Sequence, residues 1–319
     1  MSFISSRFTL PRRYIHFLLT ATFLTFFVFI AKETLAEPFV FGVTIDNPWD
    51  QQAEIKDALS SHAIKPTVRI VFDEWVAASE YTDSVANIKS VSFVMGEILD
   101  SFYVKDYTVQ QYIDRTEEYL DEFEGSVDIW EIGNEVNGDW LGTTADVVAK
   151  IEGAYAAVKA RGLTTALNLY YNKSCFYDKP EYEMFTWVNA NISEEMKSGL
   201  DYVFFSYYED DCENVVHTQA EWQQVFDDLH TIFPNSKLGF GEVGTTINEN
   251  KAEYMHHYYE LDIQGDYFVG GYFWWYYKQD CVPKTSDFWG TLNAIIALKN
   301  KNSQQIMTPI WSLLLLSDQ

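Results

Sequence analysis

Between two stretches of helical period, the run "VDIWEIGN" (127–134) reads as a strand buried on both faces. The pattern before it, "VQQYIDRTEEYLDEFEG" (109–125), and the one after it, "TADVVAKIEGAYAAVKARG" (144–162), each end at a glycine, as a helix stop does. A strand of that kind between amphipathic helices belongs to a parallel sheet. Seven more runs of this character follow residue 37: "FVFGVTID" (39–46), "TVRIVF" (67–72), "SVSFVMG" (90–96), "TALNLYY" (165–171), "LDYVFFSYY" (200–208), "KLGFGEVG" (237–244) and "GGYFWWYY" (270–277). Helical patterns separate them, among them "TQAEWQQVFDDLHTIFP" (218–234), stopped by Pro234. Eight strand–helix units in about 280 residues predict an α/β protein built as a single (β/α)8 TIM barrel. The structural rival is a doubly wound open sheet. No linker, repeat or low-complexity segment marks a second domain, so 37–319 is expected to be one domain.

In such a barrel, chemistry gathers at the C-terminal ends of the strands. There the fourth run continues as "NEVNG", which sets Asn134 and Glu135 side by side. A carboxylate at a buried strand end is costly unless it has partners or a task. Glu242, in "LGFGEVGT", stands near the end of the seventh strand and so across the same mouth. Two carboxylates facing each other over a cleft are what glycosidic bond cleavage requires: one protonates the departing oxygen, the other attacks the anomeric carbon or activates water.

"WEIGNE" on strand four and "GFGEVG" on strand seven resemble the acid/base and nucleophile motifs of clan A glycoside hydrolases, which are retaining enzymes on (β/α)8 barrels and include the cellulase/mannanase and galactanase families. The resemblance covers the mature chain in architecture and a few residues per strand in sequence. It implies Glu135 as acid/base and Glu242 as nucleophile of a double displacement, with the carboxyls roughly 5–5.5 Å apart. It implies Arg69, in "TVRIVF", as support for the nucleophile, with a buried counter-ion as the alternative role. It implies the strand-six tyrosine of "SYYE" as a hydrogen-bond donor to the nucleophile, and alternation favours Tyr208 over Tyr207. It implies a platform tryptophan in "WWYYK", where Trp275 is favoured over Trp274, and Asn134 as the residue that holds the sugar 2-hydroxyl. Two positions depart from the cellulase/mannanase pattern: Ser206 stands where a histidine is common, and Val136 where a proline is. They point to another branch of the clan.

Further residues have expected places. Glu131 shares the parity of Glu135 and is expected deeper in the barrel as a structural group, with Arg69 a candidate partner. Glu97 and Asp100 are expected as substrate contacts or solvated loop residues. Trp49, Trp75, Trp140, Tyr171 and Tyr177 follow strand ends, where aromatic rings line a groove by stacking on sugar faces or simply pack. Cys175 and Cys212 lie in the loops after strands five and six, neighbours in the barrel, and are the preferred disulfide pair; Cys281 is the odd thiol. In a eukaryotic source, "NKS" at Asn172 and "NIS" at Asn191 are glycosylation sequons.

The ends and the charge bound the setting. Arg7, Arg12 and Arg13 precede an apolar run from about Phe17 to Ala31, and Thr34-Leu35-Ala36 supplies small residues for cleavage after Ala36. Segment 1–36 is therefore expected to be a secretory signal, or an uncleaved membrane anchor, and the remainder secreted or periplasmic. That segment holds four of the 22 basic and one of the 47 acidic residues, which leaves 18 against 46 and a net charge of −28. Such a surface repels nucleic acid and anionic membranes and suits a neutral substrate. No HExxH, no Cys/His cluster and no phosphate-cradling glycine loop occurs, so no metal or cofactor is expected. The leading expectation is a monomeric, secreted, retaining β-glycosidase acting on a neutral glycan. The alternatives are a carbohydrate-binding barrel without catalysis and a cell-wall transglycosylase. Loops that look short after strands one, two and seven lean towards an open, endo-acting cleft. The role of the apolar tail "IMTPIWSLLLLSDQ" (306–319) is not read.

Overall fold

The computed structural model describes residues 39–173, 175 and 179–299. Segment 1–36, Tyr177 and the tail 306–319 lie outside them. Eight strands run in chain order: β1 Val40–Ile45, β2 Thr67–Val71, β3 Phe93–Glu97, β4 Ile129–Glu131, β5 Thr165–Tyr170, β6 Tyr202–Tyr207, β7 Lys237–Val243 and β8 Phe268–Trp274. Each pairs in parallel with the next, and β1 pairs with β8, so the barrel is closed and the open-sheet rival is excluded.

The helices form where the sequence supplies start signals. Val109–Phe123 opens with a capping box between Thr108 and Gln111, and Gln219–Ile232 with one between Thr218 and Glu221. Thr143 caps Thr144–Ala160. Among the described residues no helix is long and apolar enough to cross a membrane.

Alternation along the strands sorts the core into two. Outward residues such as Val68, Ile70, Trp130, Leu167, Phe205 and Phe240 pack under the helices. Inside the barrel, Val40, Met95, Ile129, Ala166, Phe204, Val269 and Phe273 form a separate apolar cluster. The next inward residues along the strands are polar or charged: Arg69, Glu97, Glu131, Asn168 and Ser206, all buried. A fully apolar interior would be the simpler way to fill a barrel, so this charged layer calls for a reason.

Two expectations change. β4 is shorter than 127–134: it spans Ile129–Glu131, backbone bonds to β5 continue from Ile132 and Gly133, and the chain then turns at Glu135, whose φ of 47° lies in the left-handed region. The sequon asparagine Asn172 is buried; its amide donates to the Tyr182 carbonyl and its oxygen accepts from the Met184 amide, so it is unavailable to a glycan. Cys175 and Cys212 are joined as preferred, with Cα atoms 4.9 Å apart, and Cys281 is a buried free thiol.

Candidate active site

Glu242 reaches the barrel interior through an irregularity. Leu238 and Phe240 belong to the outer core, and strict alternation would send Glu242 the same way. Instead Phe205 pairs with Phe240 while the next residue, Ser206, pairs with Glu242. Gly241 is thus the extra residue of a β-bulge, which turns Glu242 inward. Only glycine fits there: a Cβ on Gly241 would lie 2.0 Å from Oδ1 of Asn168.

Around Glu242 the inner layer closes. Arg69 Nη2 lies 2.8 Å from Glu242 Oε1, and the Tyr208 hydroxyl donates to Oε2 at 2.7 Å. The same guanidinium donates from Nε and Nη2 to both oxygens of Glu131, at 2.5 and 2.8 Å, and Nη2 lies 3.1 Å from Glu97 Oε2. Neither Glu97 oxygen completes a hydrogen bond among the described residues. One cation therefore faces three buried carboxyl groups, a count that favours protons on the excess. Burial pushes the Glu97 carboxyl well above its usual range, against the pull of Arg69, with Glu131 adding to the rise. Burial likewise raises Glu131. For Glu242, burial outweighs Arg69 and Tyr208 and moves the carboxyl up to about 7.

Glu135 stands on the opposite wall. Its Oε2 accepts from the Ser101 hydroxyl at 3.1 Å, and Ser101 in turn accepts from the Trp140 indole N–H at 3.1 Å. Burial first, then the charges of Glu242 and Asp100, hold its carboxyl well above the usual range, and the hydroxyls of Ser101 and Ser206 pull it back. Its left-handed backbone is strained for a residue with a Cβ, and such strain gathers at functional sites. Beside it, Asn134 is buried and its Oδ1 accepts from Asn168 Nδ2 at 2.9 Å. Asn168 Nδ2 also donates to the Ser206 hydroxyl oxygen at 2.9 Å, which ties β4, β5 and β6 together under the cleft.

The cleft these residues line has a volume of about 430 Å³ and includes Asn134, Glu135, Tyr208, Glu242, Trp140 and Trp275. Arg69 lies beneath it, with its guanidinium carbon 5.6 Å from the Trp275 ring. Five of the six residues singled out by sequence thus line one cleft, with the sixth as its floor. In the two pairs left to alternation, Tyr207 packs in the outer core and donates to the Val215 carbonyl, and Trp274 is buried with its indole N–H on Asp280.

One further expectation is corrected. Glu97 is neither a substrate contact nor solvated: it alternates with Val94 and Gly96 on β3, points inward and is sealed under the site. Tyr171 is core, packed on Phe205, Tyr207 and Trp222, because it is the outward neighbour of Tyr170. Trp49 packs on Tyr81 at 4.6 Å between ring centres, with its indole N–H on the Glu80 carbonyl. Asp100 lines the cleft and caps the turn Ser101–Asp106 through the Phe102 amide. Asn168 and Ser101 were not anticipated. The signal for Asn168 was there, since it is the one side-chain amide in the apolar run "TALNLYY" and has inward parity. Ser101 lies in a loop that carries no periodic signal.

No protein-family model matches the chain, and no curated protein matches it. Among solved structures it is similar to Saccharomyces cerevisiae Gas2p in complex with laminaritriose and laminaritetraose, at 15% identity and a TM-score of 0.56 over 83% of this chain. The chain spans 65% of the length of that Gas2p chain. It is also similar to a GH113 beta-1,4-mannanase, at 11% identity and a TM-score of 0.50 over 82% of this chain and 98% of the other. The likeness is one of fold, the eight-stranded parallel barrel that the resemblance to clan A implied.

Proposed function

We propose that this chain is a retaining β-glycosidase that cleaves a neutral β-linked glycan, with Glu242 as nucleophile and Glu135 as acid/base. The observation that carries the reading is the asymmetry of the two carboxyls. Glu242 has a guanidinium and a phenol hydroxyl on its oxygens, both of which favour its anion. Burial and the charge of Glu242 favour the acid form of Glu135, whose side-chain partners among the described residues are the hydroxyls of Ser101 and Ser206. Once Glu242 ionises, near pH 7, and while Glu135 keeps the proton that burial and the charge of Glu242 hold on it, the resting pair has one nucleophile and one proton donor.

Glu242 attacks the anomeric carbon while Glu135 passes its proton to the leaving oxygen. Glu135, now ionised, takes a proton from the incoming water that releases the sugar. Trp275 supplies a face for the reacting ring, and Asn134, fixed by Asn168, a polar contact to its hydroxyls. Gas2p binds laminari-oligosaccharides and the second neighbour is a β-1,4-mannanase, so β-glucans and β-mannans head the substrates to try. We read segment 1–36 as an export signal and residues 37–319 as the catalytic domain, acting as a secreted or periplasmic monomer.

The test is an assay of the protein beside Glu135→Gln and Glu242→Gln on neutral β-glucans, mannans, galactans and xylans. Both substitutions are expected to abolish turnover of one class. Turnover that survived either change would assign the chemistry to other groups. An added sugar acceptor separates hydrolysis from transfer, because transfer lengthens the products.

A further inference from the structure

The loop that follows β2 presents a tryptophan in an unusual way. Trp75 has 60% of its surface exposed and a φ of 59°, a left-handed backbone that a bulky residue adopts only when its surroundings impose it. The surroundings do so. The Trp75 amide donates to the Tyr107 hydroxyl at 2.6 Å, and the indole lies flat on the Tyr107 ring, 4.0 Å between centres and 9° between planes. Tyr107 is itself buried.

Beneath them, buried Arg115 donates to the carbonyls of Phe72, Asp73 and Val76 in this loop and of Ile98 in the next. The Tyr119 hydroxyl also donates to Val76, and the Tyr81 hydroxyl accepts from the Asp73 amide. A loop held at so many points is rigid. Tyr107 covers one face of the indole, and its exposure leaves the other to solvent.

The platform stands on the same face of the barrel as the cleft, in the loops that follow β2 and β3. The turn Ser101–Asp106 begins at the serine that donates to Glu135 and ends one residue before Tyr107. At the rise of a 3-10 helix, six residues span about 12 Å, farther than the single ring over Trp275 extends. Midway, Tyr103 feels the charge of Glu74 beside Trp75, is partly desolvated, and feels Asp100 in the cleft. The acidic neighbours Asp73, Glu74 and Asp106 repel an anionic sugar and offer acceptors to hydroxyl groups.

We propose that Trp75, backed by Tyr107, is a distal platform of the cleft that stacks on a neutral pyranose of a β-linked chain, beyond the ring being cleaved. This rests on the glycosidase reading, and it places a further sugar on the side of the cleft where β2 and β3 end.

The experiment compares the protein with Trp75→Ala and Trp75→Tyr on β-1,3-gluco- and β-1,4-manno-oligosaccharides of two to six sugars. It measures kcat/KM and, by calorimetry, binding. In Trp75→Ala, kcat/KM is expected to fall about 10-fold more for the longest substrates than for the shortest. Trp75→Tyr is expected to recover most of that difference. An equal loss at every length, or none, overturns the platform, as does a loss that tyrosine leaves unrepaired. Absence of turnover on every glycan defeats the glycosidase reading instead. The platform then stands if calorimetry finds a length-dependent affinity that Trp75→Ala removes, and falls if it finds none.

Discussion

At Glu242 one hydroxyl works beside Arg69 against the effect of burial. Tyr208 donates to the oxygen that Arg69 does not hold, so it lowers the cost of the anion in a site where burial raises it. With Glu242 raised to about 7, kcat/KM is expected to rise as pH increases through about 7, and to fall where Glu135, held well above the usual carboxyl range by burial and the charge of Glu242, loses its proton. Replacing Tyr208 by Phe removes a hydrogen bond to a charged group, worth about 1.5–3 kcal/mol, or about 10–100-fold in rate. The acid limb of the pH profile is expected to move upward at the same time. A limb that stays put while the rate falls would make Tyr208 a substrate contact without influence on the carboxyl. The choice of Tyr208 over Tyr207 was legible from alternation alone. So was the inward face of Glu97, which follows Met95 by two residues, although its place after the strand made it look like a loop residue.

Two strands carry the irregularities that aim the site, and neither was legible as such. In β7, alternation from Leu238 and Phe240 would have buried Glu242 under the helices; the motif resemblance put it at the mouth, and the bulge at Gly241 is what brings it there. The period of two has no symbol for an extra residue, because a bulge is fixed by the pairing of neighbours and not by one strand's own pattern. In β8, Gly270 to Phe273 all have positive φ, and the pairing slips against both neighbours before Trp275 emerges in the cleft. Eight strands in order were readable because each is an apolar run set off by stretches of helical period. Gly241→Ala tests the bulge. Its new methyl would displace Asn168, which holds Asn134 and Ser206, so turnover is expected to drop by more than about 10-fold for a stability cost of about 1–3 kcal/mol. Wild-type turnover in this variant would show that Asn168 plays no part in setting the cleft.

For the molecule as a whole, the buried carboxyls set the direction of its pH stability. Glu97, Glu131, Glu135 and Glu242 all have native values raised above those of an unfolded chain, so the native state binds more protons. Their contribution is complete below about pH 4.5 and is lost as pH rises through the native values. The melting temperature is therefore expected to fall between pH 5 and pH 8, by about 2–4 °C for each kcal/mol lost. Surface repulsion acts in the same direction, and Glu97→Gln isolates the interior: it is expected to raise the melting temperature at pH 8 and leave it nearly unchanged at pH 5. A variant less stable at pH 8 would mean that Glu97 is ionised in the native barrel. The guanidinium shared by Glu97, Glu131 and Glu242 has an evolutionary corollary. Because Arg69 keeps two other carboxyl partners, a lineage that lost Glu242 by drift would keep a neutralised, foldable interior. Such a barrel could pass from catalyst to silent glycan receptor in one substitution, and an intact melting curve for Glu242→Gln is the measurement that would show the route is open.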